Sequence, residues 1–126
     1  MKKILLNVNG ENKGHYAPGV ISRNTLYISG QLSIDLDTRK VPEGGVEEHM
    51  ELALHNVERV LEAAGLKKEN VVQCRVYISD IEYWDAINKA YKEFFGEHTP
   101  ARIVVPVPAL HFGCKVEIEA VAEVEE

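Results

Sequence analysis

Long apolar stretches, basic runs and paired cysteines are scarce in this sequence, and each scarcity removes a class of protein. After Met1-Lys2-Lys3 only Ile4-Leu5-Leu6 follow as consecutive apolar residues, far short of a signal-peptide core or a membrane span. The expected location is therefore the cytoplasm. Cys74 and Cys114 are the only cysteines. Without a secretory signal they read as reduced, packed thiols, and neither has metal-ligand spacing. Fourteen Lys and Arg face 20 Asp and Glu, a net charge of -6 with no basic run, so nucleic acid, which calls for clustered cations, is a poor partner. His15, His49, His55, His98 and His111 form no pair four apart beside a glutamate, so no metal site is read and any chemistry is expected to proceed without a cofactor. Repeats, low-complexity tracts and linkers are missing as well.

What remains is a chain of 126 residues with 45% hydrophobic content, enough for one core and too short for two. One domain over residues 1–126 is expected. Residues 3–8 alternate weakly, and Val20-Ile21 and Leu26-Tyr27-Ile28-Ser29 flank Ser22-Arg23-Asn24-Thr25, the pattern of a hairpin around a polar turn. From Val46, apolar residues recur at Met50, Ala53, Leu54, Val57, Val60, Leu61 and Ala64 and stop at Gly65, the helical period with a glycine end. Val71–Ser79 is rich in β-branched residues. Asp80 then offers an N-cap to a helix that sets Ile81, Trp84, Ile87, Tyr91 and Phe95 on one side before Gly96. Ala101–Val107 and Lys115–Val124 are two further strand-like runs.

This order specifies an α+β fold with a mixed sheet and both helices on one face. The Arg102–Val107 run is apolar at both parities, as strands buried on two faces are, so the helix-free face is expected to meet another subunit. The last strand supports this weakly, because Glu117, Glu119 and Glu123 share one parity.

Arg102 opens an apolar strand, where a buried guanidinium without a partner is costly. Two readings are open: a structural ion pair with Glu117 or Glu119, or an exposed edge position, on one side, and a fork that grips a substrate carboxylate on the other. Arg75 draws the structural reading more strongly. Glu117 reads as part of a solvated strand face, or, if that face is an interface, as a carboxylate able to orient or deprotonate a water. Tyr16, in a loop ahead of the hairpin, is a surface residue or the wall of a small pocket. Ser29-Gly30-Gln31 reads as a strand-closing turn in which Gly30 takes a backbone angle other residues avoid. Trp84, Asn88 and Tyr91 share a helix face and are assigned mainly to packing.

The strings Ile28-Ser29-Gly30-Gln31, Val57-Glu58-Arg59-Val60-Leu61-Glu62-Ala63-Ala64-Gly65, Asn88-Lys89-Ala90-Tyr91-Lys92-Glu93-Phe94-Phe95, Pro100-Ala101-Arg102 and Val116-Glu117-Ile118-Glu119-Ala120 occur in this order. Together they resemble the reactive-intermediate deaminase family, also called YjgF/Rid or endoribonuclease L-PSP-like, over roughly residues 14–124. The resemblance implies a chorismate-mutase-like homotrimer with three clefts between subunits. It also implies hydrolysis of 2-iminobutanoate, 2-iminopropanoate and their enamine tautomers to 2-keto acids and ammonia. By resemblance Arg102 holds the substrate carboxylate and Glu117 orients the attacking water. Tyr16, Ser29 and Gly30 line the cleft, Trp84 supplies an aromatic wall, and Val104 contributes its backbone. Asn88 matches a recurring helix asparagine with a structural role.

The sequence departs from the family pattern at His15, at Ala17-Pro18-Gly19, and at Ile103-Val104, where Ser-Cys is frequent. The last change removes a thiol that the expected mechanism does not use. The rival readings are a non-catalytic or chaperone-like trimer that binds small carboxylates in the same clefts, and an endoribonuclease or translation inhibitor, which the acidic composition disfavours.

Overall fold

The computed structural model describes residues 1–10 and 14–125. In chain order the elements are β1 (Lys2–Ile4), β2 (Gly19–Ser22), β3 (Thr25–Leu32), α1 (Val46–Ala63), β4 (Val71–Ile78), α2 (Trp84–Phe95), β5 (Ala101–Pro106) and β6 (Val116–Glu123). Short 3-10 turns precede β4, α2 and β6. The six strands lie in the order β1-β2-β3-β6-β4-β5. Every pair is antiparallel except β4 with β5, whose parallel pairing needs the crossover that α2 supplies. The expected α+β mixed sheet with two helices is the fold.

Local chemistry accounts for the boundaries. Ser22 pairs with Thr25 across a two-residue turn, and Arg23 takes φ 57°, the left-handed geometry that matches hairpin twist. The alternation over residues 3–8 produces only three strand residues, because the ladder with β2 ends at the Ile4–Gly19 pair. In α1 the residues Met50, Leu54, Val57, Val60 and Leu61 are fully buried, each such side chain contributing about 1.5–3 kcal/mol. Gly65 (φ 75°) ends this helix, with its N–H on Glu62 O and the Leu66 N–H on Leu61 O, which satisfies carbonyls the helix leaves open. Asp80 departs from expectation: its carboxylate accepts from the Glu82 N–H at 2.9 Å and caps the short turn Ile81–Tyr83, while α2 starts only at Trp84.

Register sorts the side chains onto two faces. Cys74 lies between Ala120 and Arg102, Val76 between Ile118 and Val104, and Ile78 between Val116 and Pro106; this parity faces the helices and carries the core. The other parity holds Tyr27, Arg75, Tyr77, Ile103, Glu117, Glu119 and Val121. Among the described residues no element covers it: Tyr27 is 53% and Ile103 52% exposed, large apolar side chains set among charged groups. Among the described residues no helix is long and apolar enough to cross a membrane.

One buried polar node ties the helix layer to the sheet. His49, on α1, is 1% exposed. Its Nδ1 receives the Lys115 backbone N–H at 3.2 Å and the Ser33 hydroxyl at 2.7 Å, and its Nε2 lies 3.2 Å from Pro42 O. A backbone N–H only donates and a carbonyl only accepts, so the ring is neutral with its proton on Nε2. Burial, the largest cause, holds its pKa below the usual 6.5; the Lys115 charge adds to this, and the Pro42 carbonyl opposes it. The unfolded chain therefore binds the proton first, and the stability due to neutral His49 is complete above 6.5 and lost as pH falls below it. We expect thermal unfolding followed between pH 7.5 and 5 to show a loss of up to about 1.4 kcal/mol per pH unit from this group. His49→Asn, which keeps an acceptor near Lys115 N, should flatten the profile; identical profiles for the two proteins would exclude the assignment.

Candidate active site

Arg102 comes from β5, the edge strand, and its register with Cys74 sets it on the helix side of the sheet. Its Nη1 donates to Asn88 Oδ1 at 2.9 Å, and its guanidinium carbon lies 4.8 Å from the Tyr91 ring centre and 5.5 Å from that of Trp84. These three residues, four and three apart on α2, project from one helix face. The ion pair expected of a structural arginine is missing. Among the described residues the two ion pairs are Arg59–Asp37 and Arg75–Glu119, both at 3.7 Å, and no carboxylate pairs with Arg102. Burial pushes the Cys74 thiol beneath it up to about 11, and the Tyr91 phenol is raised by burial first and then by Cys74. Both are neutral near pH 7. The guanidinium charge thus stands uncompensated beside a cavity of about 440 Å³ whose wall includes Asn88, Tyr91, Lys92 and His98.

Val104 follows on the same parity as Arg102, half-buried against the core, so its side chain points inward. Trp84 is 40% exposed and faces the arginine rather than packing wholly in the core. Sequence spacing alone put Trp84, Asn88 and Tyr91 on one face, a pattern that reads as packing. What it could not show is that an edge-strand arginine lies across them.

Glu117 belongs to the opposite face. It projects from β6 with the parity of Tyr77 and Leu32, its register partners. Opposite it, β3 carries a bulge: Ser29 and Gly30 together face Glu119, between the Ile28–Ala120 and Gln31–Ile118 pairs. This corrects the turn reading of Gly30. Gly65, Gly96 and Gly113 take positive φ, whereas Gly30 sits inside β3. Its requirement is space, since a Cβ there would lie 2.9 Å from Glu117 Oε2. Bulges re-aim neighbouring side chains, and here the missing side chain leaves room for the carboxylate. Burial raises the Glu117 pKa, Glu119 raises it further, and His111 opposes.

The neighbouring groups are committed elsewhere. Glu119 accepts from the Tyr77 hydroxyl at 2.7 Å and pairs with Arg75 at 3.7 Å, the structural role expected of Arg75. No described side chain donates to Glu117. Ser29 gives its hydroxyl proton to Ala17 O at 2.7 Å, and its N–H to Pro18 O at 2.9 Å. These two bonds pin the loop that carries Tyr16, which is 53% exposed, to the bulge. Tyr16 also borders a cavity of about 350 Å³ with Leu6, Pro18, Gln31, Leu36 and Arg39. His111, its ring 3.8 Å from that of Phe112, is the member of this neighbourhood that sequence reasoning did not single out.

The residues expected to act together therefore form two groups within one chain. Arg102, Val104 and Trp84 stand on the helix side at the sheet edge. Glu117, Gly30 and Ser29, with the Tyr16 loop tied to Ser29, stand at the helix-free face, and β4 separates the two groups.

These features define a small α+β protein whose open-faced mixed sheet carries, among the described residues, an arginine without a carboxylate partner at its edge and a carboxylate without a side-chain donor on its bare face. The match to known proteins is specific. The family model described as Endoribonuclease L-PSP matches residues 9–124, and the chain belongs to this family, the YjgF/Rid family. The human 2-iminobutanoate/2-iminopropanoate deaminase is 40% identical over 109 residues, 86% of this chain and 80% of that protein. The crystal structure of the Escherichia coli YjgF gene product superposes with a TM-score of 0.92 at 34% identity, covering 99% of this chain and 100% of that one. Escherichia coli TdcF with bound serine gives 0.89 at 34% identity, over 98% and 100% of the respective chains.

Proposed function

We propose that this protein is an imine/enamine deaminase that hydrolyses small 2-imino acids to 2-keto acids and ammonia, and that it works as a homotrimer with sites between subunits. The observation that carries the reading is the arginine: Arg102 is half-buried and already fixed by Asn88, yet among the described residues it has no carboxylate partner. A cation left in this state favours an anionic ligand, and a guanidinium fork suits a carboxylate in two hydrogen bonds. The human relative bears the name of this activity.

The division of the site supports the assembly. Arg102 and Glu117 lie on opposite faces of one chain's sheet, so a substrate touching both requires a neighbour's bare face against the β5 edge. Packing of this kind would also cover Tyr27 and Ile103, each more than half exposed. A head-to-tail contact between unlike surfaces closes as a ring when the rotation between neighbours returns to its start, as a threefold rotation does.

In the resulting cleft Arg102 holds the carboxylate and thereby places the imine carbon. Glu117 accepts a proton from water as the water oxygen bonds to that carbon of the protonated imine, and the C=N π pair moves to nitrogen, which becomes an amine. The carbinolamine then collapses: Glu117 passes the proton it took from water to the amine nitrogen and accepts the hydroxyl proton, the C=O bond forms as the C–N bond breaks, and the ammonia leaves as ammonium with that proton, which restores the carboxylate and leaves the keto acid. An enamine enters after taking a proton at its β-carbon. A protonated imine is already electrophilic, so positioning and one base suffice. Gly30 keeps space over Glu117, while Ser29 and Tyr16 shape the wall for a short side chain.

The test is keto-acid release from an imine generated in situ by an amino-acid dehydratase. Wild type should accelerate it, and Arg102→Ala should lower kcat/KM by about 100-fold, the loss of a charge-assisted bidentate contact. A folded trimer that accelerates nothing across several amino-acid precursors would leave a carboxylate-binding protein as the better account.

A further inference from the structure

We infer that Trp84, Asn88 and Tyr91 are positioning residues that set the Arg102 guanidinium for a carboxylate without neutralising it. The inference rests on the reading of Arg102 as the carboxylate grip and adds the residues that make the grip rigid.

An arginine side chain on an edge strand is free to adopt many rotamers, and ordering it at the moment of binding weakens the contact. Here it is ordered in advance. Asn88 Oδ1 takes one Nη1 proton at 2.9 Å, and two aromatic rings approach the guanidinium at 4.8 and 5.5 Å, within cation–π range. All three partners are uncharged. Since arginine only donates, the Asn88 atom facing it must be the carbonyl oxygen, a neutral acceptor where an aspartate of the same shape would form an ion pair. A carboxylate at position 88 would hold the fork equally well and compete with the ligand for its charge. An amide and two π-faces orient the cation and leave the charge available. The guanidinium also retains donors not used by Asn88, the requirement for bidentate recognition.

This arrangement predicts an unusual response to an isosteric change. Asn88→Asp keeps the shape and the hydrogen bond, so a merely structural Asn88 tolerates it, whereas a positioning Asn88 does not. We expect Asn88→Asp, and Trp84→Leu, to raise KM for the imine and Kd for the product 2-oxobutanoate by about tenfold. kcat should stay within about twofold, the signature of lost uniform binding, and melting temperatures should be unchanged. Trp84→Phe, which restores a ring, should bring binding back to within about threefold of wild type. Trp84 is the chain's single tryptophan, so its fluorescence should change when 2-oxobutanoate neutralises the cation beside it, independent of turnover.

Folded Asn88→Asp that binds 2-oxobutanoate as tightly as wild type would overturn the inference, as would a fall in kcat at constant KM. Calorimetry separates this from the deaminase reading. If wild type binds 2-oxobutanoate in an Arg102-dependent way but hydrolyses no imine, the deaminase reading fails and the order of Kd values still decides the positioning role. Binding that ignores Arg102→Ala removes both.

Discussion

Chains carrying Arg102→Ala and chains carrying Glu117→Gln, each nearly inactive alone, should recover about a quarter of the wild-type rate when unfolded together in equal amounts and refolded. The expectation follows from the face assignments. Arg102 shares the parity of buried Cys74, Glu117 the parity of Tyr77, and β4 runs between their strands. If each cleft takes its arginine from one chain and its glutamate from the next, random mixing gives an intact arginine in half the cases and an intact glutamate in half. The product is the recovered fraction. A site contained within one chain gives no recovery, because every chain in the mixture then carries one lesion. Size-exclusion chromatography before the assay confirms that assembly has occurred, so a trimeric mixture without activity would exclude shared sites and leave the single chain to account for catalysis.

Glu117→Gln should lower kcat by roughly 10²–10⁴-fold, the usual contribution of a positioned general base, with a small change in KM because the carboxylate grip is intact. The acid side of the pH profile makes the claim specific. Burial and the neighbouring Glu119 raise the Glu117 pKa above its ordinary 4.5, and the anion is the form that the proposed mechanism uses. The wild-type rate should therefore fall as pH drops through a midpoint above 4.5, and the residual rate of the Gln variant should lack that step. Gly30→Ala provides an independent handle on the same carboxylate. Its new Cβ would meet Oε2 at 2.9 Å, and the flexible glutamate can move aside, so the protein should remain folded while kcat falls. A Gln variant retaining more than a third of wild-type kcat would remove Glu117 from the mechanism.

Much of this structure was legible in the sequence because local rules decided it. The α1 period and its glycine end, the hairpin at Arg23-Asn24 and the two-helix, one-face layout all follow from spacing and turn chemistry. The recurring strings pointed to the family. What escaped the sequence depends on strand order, a long-range property. Nothing local says that Ala101–Pro106 is the edge strand or that Arg102 lies across α2, so ion pair and substrate grip remained equal in kind until Asn88 and the aromatic rings came into view. Gly30 was misread for a related reason. A glycine before a polar residue suits a turn, and the need for an empty position over Glu117 exists only once β3 and β6 are paired. The His49 node, joining residues 33, 42, 49 and 115, is equally invisible along the chain.

The separation of the two groups also bears on how such a protein diversifies. On the proposed reading, substitutions at Val104, Trp84 or the β5 edge would alter which acids are gripped, on the face of the sheet opposite to the one that carries Glu117 of the same chain. With sites divided in this way, a lineage would explore new substrates by drift at one rim of the molecule while the chemistry at the other is inherited unchanged.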